Sequence, residues 1–308
     1  MVTNRIAIIG NTNLDIMVSD TPDLPAPGTE RIVPRITMRV GGSAGNLAIR
    51  CAGLGHPTTL VSRVGDDAST TILTSDLDIE ALTAVLIRDA QEPSAITVAI
   101  EAPGRDRAFL SSLGAMRNMT PNDVPDDALE ARFVVLAGYF LLPGLHGDNL
   151  AQLFNRAHAT GAKTVLDTGW PPQGWTTQVR AEIMKALAHV DIFLPNVDEL
   201  YGLTQDDDPH RAALRLAALT ETIVGVKRGS RGAGLATPDG CWIDASTEPT
   251  TVIDSTGAGD GFNAALLVGA CRGTNWADSL AAAVRYATRL VATPEHLRAN
   301  IEIELSVS

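Results

Sequence analysis

Along the chain, short apolar runs alternate with segments long enough to be helices. Strand-like runs fall at residues 5–9, 59–64, 133–137, 163–166, 190–194 and 222–227. Helical patterns fall at 43–54, 147–160, 178–188, 210–219, 258–271 and 276–291. This alternation predicts a mainly parallel sheet flanked by helices. "FVVLAG" and "DIFLPN" are apolar almost without interruption, which suits strands buried on both faces. The last two helices are Ala-rich, a composition that allows close packing. Two segments break the rhythm. Residues 12–40 contain "DLPAPGTERIVPRITMRV", where Pro and Gly separate strand-like pieces, and residues 95–112, "AITVAIEAPGRDRAFLSS", read as a hairpin turning at "APGRD". Neither has a helix to carry it into the parallel sheet. Both are expected to leave the main body and pair as a small β lid, over about 12–40 and 95–112 of a single domain spanning 1–308.

A chain of 308 residues with 45% hydrophobic content can bury a large core. The formal charge of -12 opposes nonspecific attraction to nucleic acid or anionic membranes. No segment has the uninterrupted apolar length of a membrane span, and "MVTNRIAIIG" lacks the flanks of a signal peptide. A cytoplasmic protein is expected. Cys51, Cys241 and Cys271 are far apart and form neither a CxxC pair nor a disulfide framework, so they read as reduced thiols.

Five motifs carry candidate chemistry. In "DSTGAGDGFNAALL", Gly257, Ala258 and Gly259 precede Asp260 at the head of an apolar helix. Helix N-termini present free N–H groups and positive dipole, and small residues let an anion reach them. A carboxylate beside that pocket suggests a base that takes a proton from a nucleophile while the N–H groups hold the phosphate under attack. The alternative is a Gly-rich turn with Asp260 merely stabilising the dipole. In "VGGSAGNLAIRCAGLG", Gly41 and Gly42 permit close backbone approach and Asn46 offers donor and acceptor, or the stretch is simply a tight turn. In "GNTNLDIMV", Asn13 and Asp15 point to one side of an extended chain, as hydroxyl-binding groups or an Asx turn.

Asn196 and Glu199 of "LPNVDEL" are spaced to orient hydrated Mg²⁺, or to form a capping box. In "VGVKRGSRGAG", Lys227 and Gly229 suit a nucleotide and its phosphates, or a hairpin turn with a solvated lysine.

In this order the five motifs resemble the ribokinase-like family of carbohydrate kinases, also called the PfkB family. Gly41, Gly42, Asn46, Ala48, Gly55 and Gly65 match one family pattern and residues 254–267 the other, across nearly the whole chain. The resemblance implies a three-layer α/β/α sandwich with a small β-sheet lid. It also implies transfer of the γ-phosphoryl of ATP, with Mg²⁺, to a sugar or nucleoside hydroxyl. Asp260 would be the base, with Gly257, Ala258 and Gly259 as anion hole. Asn13, Asp15, Gly41, Gly42 and Asn46 would hold substrate, Asn196 and Glu199 would organise magnesium indirectly, and Lys227 and Gly229 would lie near the nucleotide. Family members often dimerise through the lid, and a homodimer is expected.

The chain departs from the pattern in two places. "TSDLDIEALTAVL" lacks a customary Gly, suggesting a shortened helix edge. The C-terminal stretch lacks the Gly-containing tail of the monovalent-cation site, which argues against potassium activation although Asp254 is present. An unphosphorylated sugar is the favoured acceptor. Lid arginines Arg31, Arg35, Arg39, Arg105 and Arg107 read mostly as a solvated face, whereas a phosphorylated sugar would need clustered cations. A nucleoside, stacked on Phe109, Tyr139, Trp170 or Trp175, and a non-catalytic binding protein are the alternatives.

Overall fold

The structure, a computed structural model, describes residues 3–19, 21, 23–100 and 108–303. Among these residues the large sheet has nine strands: β1 (Ile6–Gly10), β4 (Thr58–Gly65), β5 (Leu82–Asp89), β8 (Phe133–Ala137), β9 (Lys163–Asp167), β10 (Ile192–Phe193), β11 (Ile223–Lys227), β12 (Ala233–Ala236) and β13 (Trp242–Ala245). Their order is β13-β12-β11-β10-β9-β8-β1-β4-β5. All neighbours from β11 to β5 are parallel, and β12 and β13 add antiparallel at one edge. The second sheet is β3-β2-β6-β7, from β2 (Asn13–Val18), β3 (Ile36–Gly41), β6 (Ile96–Ile100) and β7 (Ala108–Ser112).

Period-two alternation along the central strands creates the three layers. Ala7, Ile9, Val134, Leu136, Leu166 and Phe193 face one side, where they pack with α4 (Asp148–Ala159), α5 (Thr177–Leu187), α6 (Val197–Thr204) and α7 (Pro209–Thr220). The short α3 (Asp126–Leu129) joins this layer. Ile6, Ile8, Phe133, Val135, Val165 and Ile192 face the other side, against α1 (Ser43–Gly53), α2 (Ala68–Asp76), α8 (Ala258–Cys271) and α9 (Trp276–Val291). Both faces of the sheet are therefore buried, as the unbroken apolar strands require. The Ala-rich helices do pack closely: a Cβ on Gly261 would lie 3.1 Å from Leu290, and one on Gly269 would lie 2.9 Å from Ser279, across the α8–α9 crossing.

The two segments that broke the alternation form the second sheet, joined by parallel pairing of β2 with β6. The turn expected at "APGRD", with Arg105 and Arg107, lies outside the described residues. Two features of the large sheet differ from expectation. Residues 82–89, to which the apolar pattern above assigns no strand, form the edge strand β5, although "LTAVLI" is a nearly unbroken apolar run. Beyond β11 the chain turns through Gly229–Arg231 into β12, so the hairpin reading of that stretch holds. Lys227, however, is largely covered rather than solvated, with 14% of its side chain exposed.

Candidate active site

Parallel strands end on one side of the sheet, which is where ligands of open α/β folds collect. Here β1 delivers Asn11, β9 Asp167, the turn after β10 Asn196, and β11 Lys227, while α8 points its N-terminus at the same region. Between this edge and the second sheet lies an open cleft of about 740 Å³. Strands β2, β6 and β7 contribute Asn13, Asp15, Thr97, Phe109 and Ser111 to it. The 252–257 segment and Asp260 contribute the opposite wall.

On the sheet side, the Asn13 amide donates to Asp15 Oδ1 (2.6 Å) and to Thr97 Oγ1 (3.3 Å), and Thr97 pairs with Ser111 (2.9 Å). Gly41 lies opposite Asn13 in the β2–β3 ladder, and a Cβ there would overlap the Asp15 carboxylate at 2.1 Å. The glycine thus makes room for Asp15. Burial, opposed by Arg39 and the Asn13 hydrogen bond, raises the Asp15 carboxyl above its usual range. Gly42 caps α1 with φ 83°, and its absent Cβ would meet Asn11 O at 2.4 Å. No side chain fits there without moving the strand that carries Asn13.

At the head of α8, Gly257 takes the left-handed conformation (φ 72°), and Gly261 N–H is the donor that closes a helical bond to Gly257 O (2.8 Å). Ala258 N–H turns back to Ser255 O (3.2 Å). The Gly257 and Gly259 N–H groups precede the helical ladder. Asp260 sits beside Asn46, which hydrogen-bonds its carboxylate, and both flank Gly257. Burial, reinforced by the negative charge of Asp167 and opposed by Lys227, pushes Asp260 up to about 7.

Behind Asp260 lies a buried charged cluster. Lys227 Nζ meets Asp167 Oδ2 at 2.8 Å and Asn263 Oδ1 at 3.5 Å, and the Asn263 amide donates to Asp167 Oδ2 at 2.5 Å. Burial alone would lower the Lys227 ammonium, but the charges of Asp167 and Glu199 outweigh it and hold it above its ordinary value. Its methylene stem and ammonium pack beside Gly259. Asn196 and Glu199 form a reciprocal capping box at α6, Glu199 N–H to Asn196 Oδ1 (2.8 Å) and Asn196 N–H to Glu199 Oε2 (2.9 Å). Glu199 is 5% exposed, and burial carries it up to about 7 against the pull of Lys227. The cap and the cluster therefore share one carboxylate.

The sequence motifs converge: Asn13, Asp15, Gly42, Asn46, Gly257 and Asp260 line one cleft, with Lys227 and Glu199 behind it. Gly229 lies in the turn after β11, with nothing near the place a Cβ would take. Of the aromatic candidates, Tyr139 is in the core, Phe109 lines the cleft, Trp170 is exposed, and Trp175 packs against the core. Arg31 and Arg35 are exposed and Arg39 pairs with Glu295.

Sequence reasoning missed Asn11, Asp167, Asn263 and Arg298. Asp167 closes the apolar run "TVLD" at a strand end, the same signal that selected Asn13. Asn263 is the lone polar residue within the apolar stretch 261–271 of α8, one helical turn after Asp260. Arg298 had no local signal.

A family profile, pfkB family carbohydrate kinase, matches residues 3–298. A fructokinase from Vibrio alginolyticus is 25% identical over 279 residues, covering 89% of this chain and 86% of that protein. A ribokinase from Arabidopsis thaliana is 28% identical over 285 residues, covering 89% and 73%. The solved structure of Arabidopsis thaliana ribokinase complexed with ribose and ATP has the same fold, with a TM-score of 0.79 over 96% of this chain and 95% of that one at 24% identity. With both ribokinase-like sheets in place and the profile spanning nearly its whole length, the chain belongs to the pfkB family of carbohydrate kinases and is a sugar kinase.

Proposed function

We propose that this enzyme transfers the γ-phosphoryl group of ATP to a hydroxyl of an unphosphorylated sugar. The observation that carries the reading is Asp260, pushed up to about 7, beside the Gly257 and Gly259 N–H groups on the wall of a hydroxyl- and amide-lined cleft. A base working near neutral pH needs a pKa close to that of its surroundings. The acceptor O–H bond breaks as its proton passes to Asp260. The oxygen bonds the γ-phosphorus, the bond to the β-phosphate oxygen breaks, and ADP leaves. The N–H groups at the head of α8 meet the charge that builds on the transferring group.

Asn13, Asp15 and Asn46 hold acceptor hydroxyls, Gly41 and Gly42 let the backbone close around them, and the second sheet acts as the lid of a single domain. Among the described residues lining the cleft there is no Lys or Arg, while Asp15, Asp254 and Asp260 are present. Such a wall repels a phosphate on the acceptor and suits a neutral polyol. Phe109 in the cleft wall keeps a nucleoside as the second reading, its base stacked on the ring.

Lys227 and Gly229 border the nucleotide phosphates. Among the described residues no group of three His, Cys, Asp or Glu side chains encloses a metal, which fits a Mg²⁺ that keeps its waters and is held chiefly by substrate phosphates. Glu199, buried beside Lys227, and Asn196 would orient it from the protein side, where it would supply charge neutralisation on the phosphates. The enzyme works in the cytoplasm, in line with the absence, among the described residues, of any helix long and apolar enough to cross a membrane. Exposed Ile36, Met38 and Leu110 on the second sheet support a homodimer.

A coupled ADP-release assay with Mg-ATP against ribose, fructose, 2-keto-3-deoxygluconate, fructose phosphates, adenosine, inosine and pseudouridine tests the reading. An unphosphorylated sugar should respond best. A fructose phosphate or a nucleoside responding best would overturn the assignment of the acceptor.

A further inference from the structure

Arg298 is 2% exposed, yet it lies outside both sheets and is not part of the cleft wall. Its guanidinium is spent on the backbone. Nε donates to Thr293 O (3.0 Å), Nη1 to Thr256 O (3.1 Å), and Nη2 to Asp254 O (2.6 Å), while Nη1 also lies 3.2 Å from Asp254 Oδ2. Three carbonyls and a carboxylate thus converge just past the C-terminus of α9, the negative end of its dipole. Val291 O, in the last turn of that helix, accepts from Ile253 N–H (2.8 Å) and Asp254 N–H (3.2 Å). So many inward-pointing oxygens repel one another unless a cation sits among them, and burial makes the requirement stricter.

The chain between these carbonyls matters. Residues 254–256 lead directly into Gly257, whose left-handed turn aims the N–H groups at the head of α8, and Thr256 N–H is itself held by Asp254 Oδ1 (2.9 Å). We propose that Arg298 is a positioning residue: its buried guanidinium is a tethered cation that fixes the 254–257 turn, and with it the anion hole for the γ-phosphoryl group, so that no inorganic monovalent cation is needed there. The planar fork suits this task because it presents several donors in fixed directions to several carbonyls, which a lysine ammonium does not. The proposal rests on the reading of the Gly257 and Gly259 N–H groups as the anion hole, the Ala258 N–H being taken by Ser255 O.

The test uses the full-length protein and two probes, Mg-AMP-PNP, which carries a γ-phosphoryl group, and Mg-ADP, which does not. Arg298→Ala should weaken AMP-PNP about tenfold, the worth of one charged hydrogen bond. ADP should change by less than about twofold on the same scale. Amide hydrogen exchange should rise across residues 254–259 and stay unchanged in β1, β8 and β9. Guanidinium chloride well below denaturing concentration should restore AMP-PNP binding to Arg298→Ala, and wild-type affinity should not change when potassium is replaced by tetramethylammonium.

Equal weakening of both nucleotides, or unchanged exchange in the 254–259 segment, would overturn the positioning role. A potassium requirement in the wild type would overturn the tethered cation. Should Arg298→Ala not fold, Arg298→Lys and the wild-type ion replacement decide the matter. Arg298→Lys should lose AMP-PNP affinity selectively, and a lysine variant indistinguishable from wild type refutes the need for the fork. A wild-type protein that binds neither nucleotide would refute the nucleotide reading itself, separately from any role of Arg298.

Discussion

Replacing Asp260 by Asn keeps the shape of the head of α8 and removes the base. At about 7, burial and the neighbouring Asp167 charge leave Asp260 half ionised at neutral pH, with Lys227 and the Asn46 hydrogen bond limiting the rise. Wild-type kcat/KM should therefore climb about tenfold per pH unit below 7 and level off above it. Asp260→Asn should lower kcat by roughly 10²–10⁴-fold and abolish that limb, with acceptor KM little changed.

Stability should move the other way. The folded-state carboxyl at about 7 lies above the ordinary value of 3.8, so the folded protein keeps a proton that the unfolded chain has lost. The resulting penalty grows as pH rises from about 4 to 7 and is constant beyond. At 1.36 kcal/mol per unit the gap is on the order of 4 kcal/mol. Because Asp260 opens partly to the cleft and solvent screens it, Asp260→Asn should stabilise the fold by ~1–3 kcal/mol at pH 8 and by almost nothing at pH 4. Steady-state kinetics and urea unfolding at the two pH values measure both effects. A variant retaining more than about a tenth of wild-type turnover, or one less stable than wild type at pH 8, would refute the assignment.

Other sites give separable outcomes. Lys227→Met leaves Asp167, Glu199 and Asp260 without their shared cation, so urea unfolding should show a loss of ~3–5 kcal/mol, and any surviving activity should have its acid limb displaced to higher pH because Lys227 now pulls Asp260 and Glu199 down. Glu199→Gln should flatten the part of the stability profile between pH 5 and about 7, since that carboxyl too is raised, from 4.5 to about 7. Gly42→Ala, at φ 83° and facing Asn11 O, should cost ~1–3 kcal/mol in backbone strain and raise acceptor KM more than ATP KM. Light scattering at micromolar concentration should show a dimer that Met38→Glu with Leu110→Glu converts to monomer, and a monomeric wild type would remove the lid interface.

Local pattern determined much of this protein. Helices 258–271 and 276–291 and strand 133–137 keep their sequence-derived limits, because a fully apolar strand or a long Ala-rich helix has few other ways to bury itself. The motifs at Asn13, Gly42, Asn46 and Asp260 were visible because each places a polar or glycine residue at a strand end or helix start. Edge strand β13 was not, since a four-residue, half-exposed strand carries little pattern, whereas β5, apolar at Leu82, Ala84, Val85, Leu86 and Ile87, was legible and went unassigned.

Tertiary structure alone decided the pairings between distant residues. Asp167 with Lys227 and Asn263, Gly41 making room for Asp15, and Arg298 on the carbonyls of Asp254 and Thr256 all join residues far apart along the chain. A strand-end carboxylate looks the same in sequence whether it faces water or a lysine. Only the packed sheet, which removes the water and brings Lys227 within 2.8 Å of Asp167, gives that pair its strength and holds the Lys227 ammonium above its ordinary value.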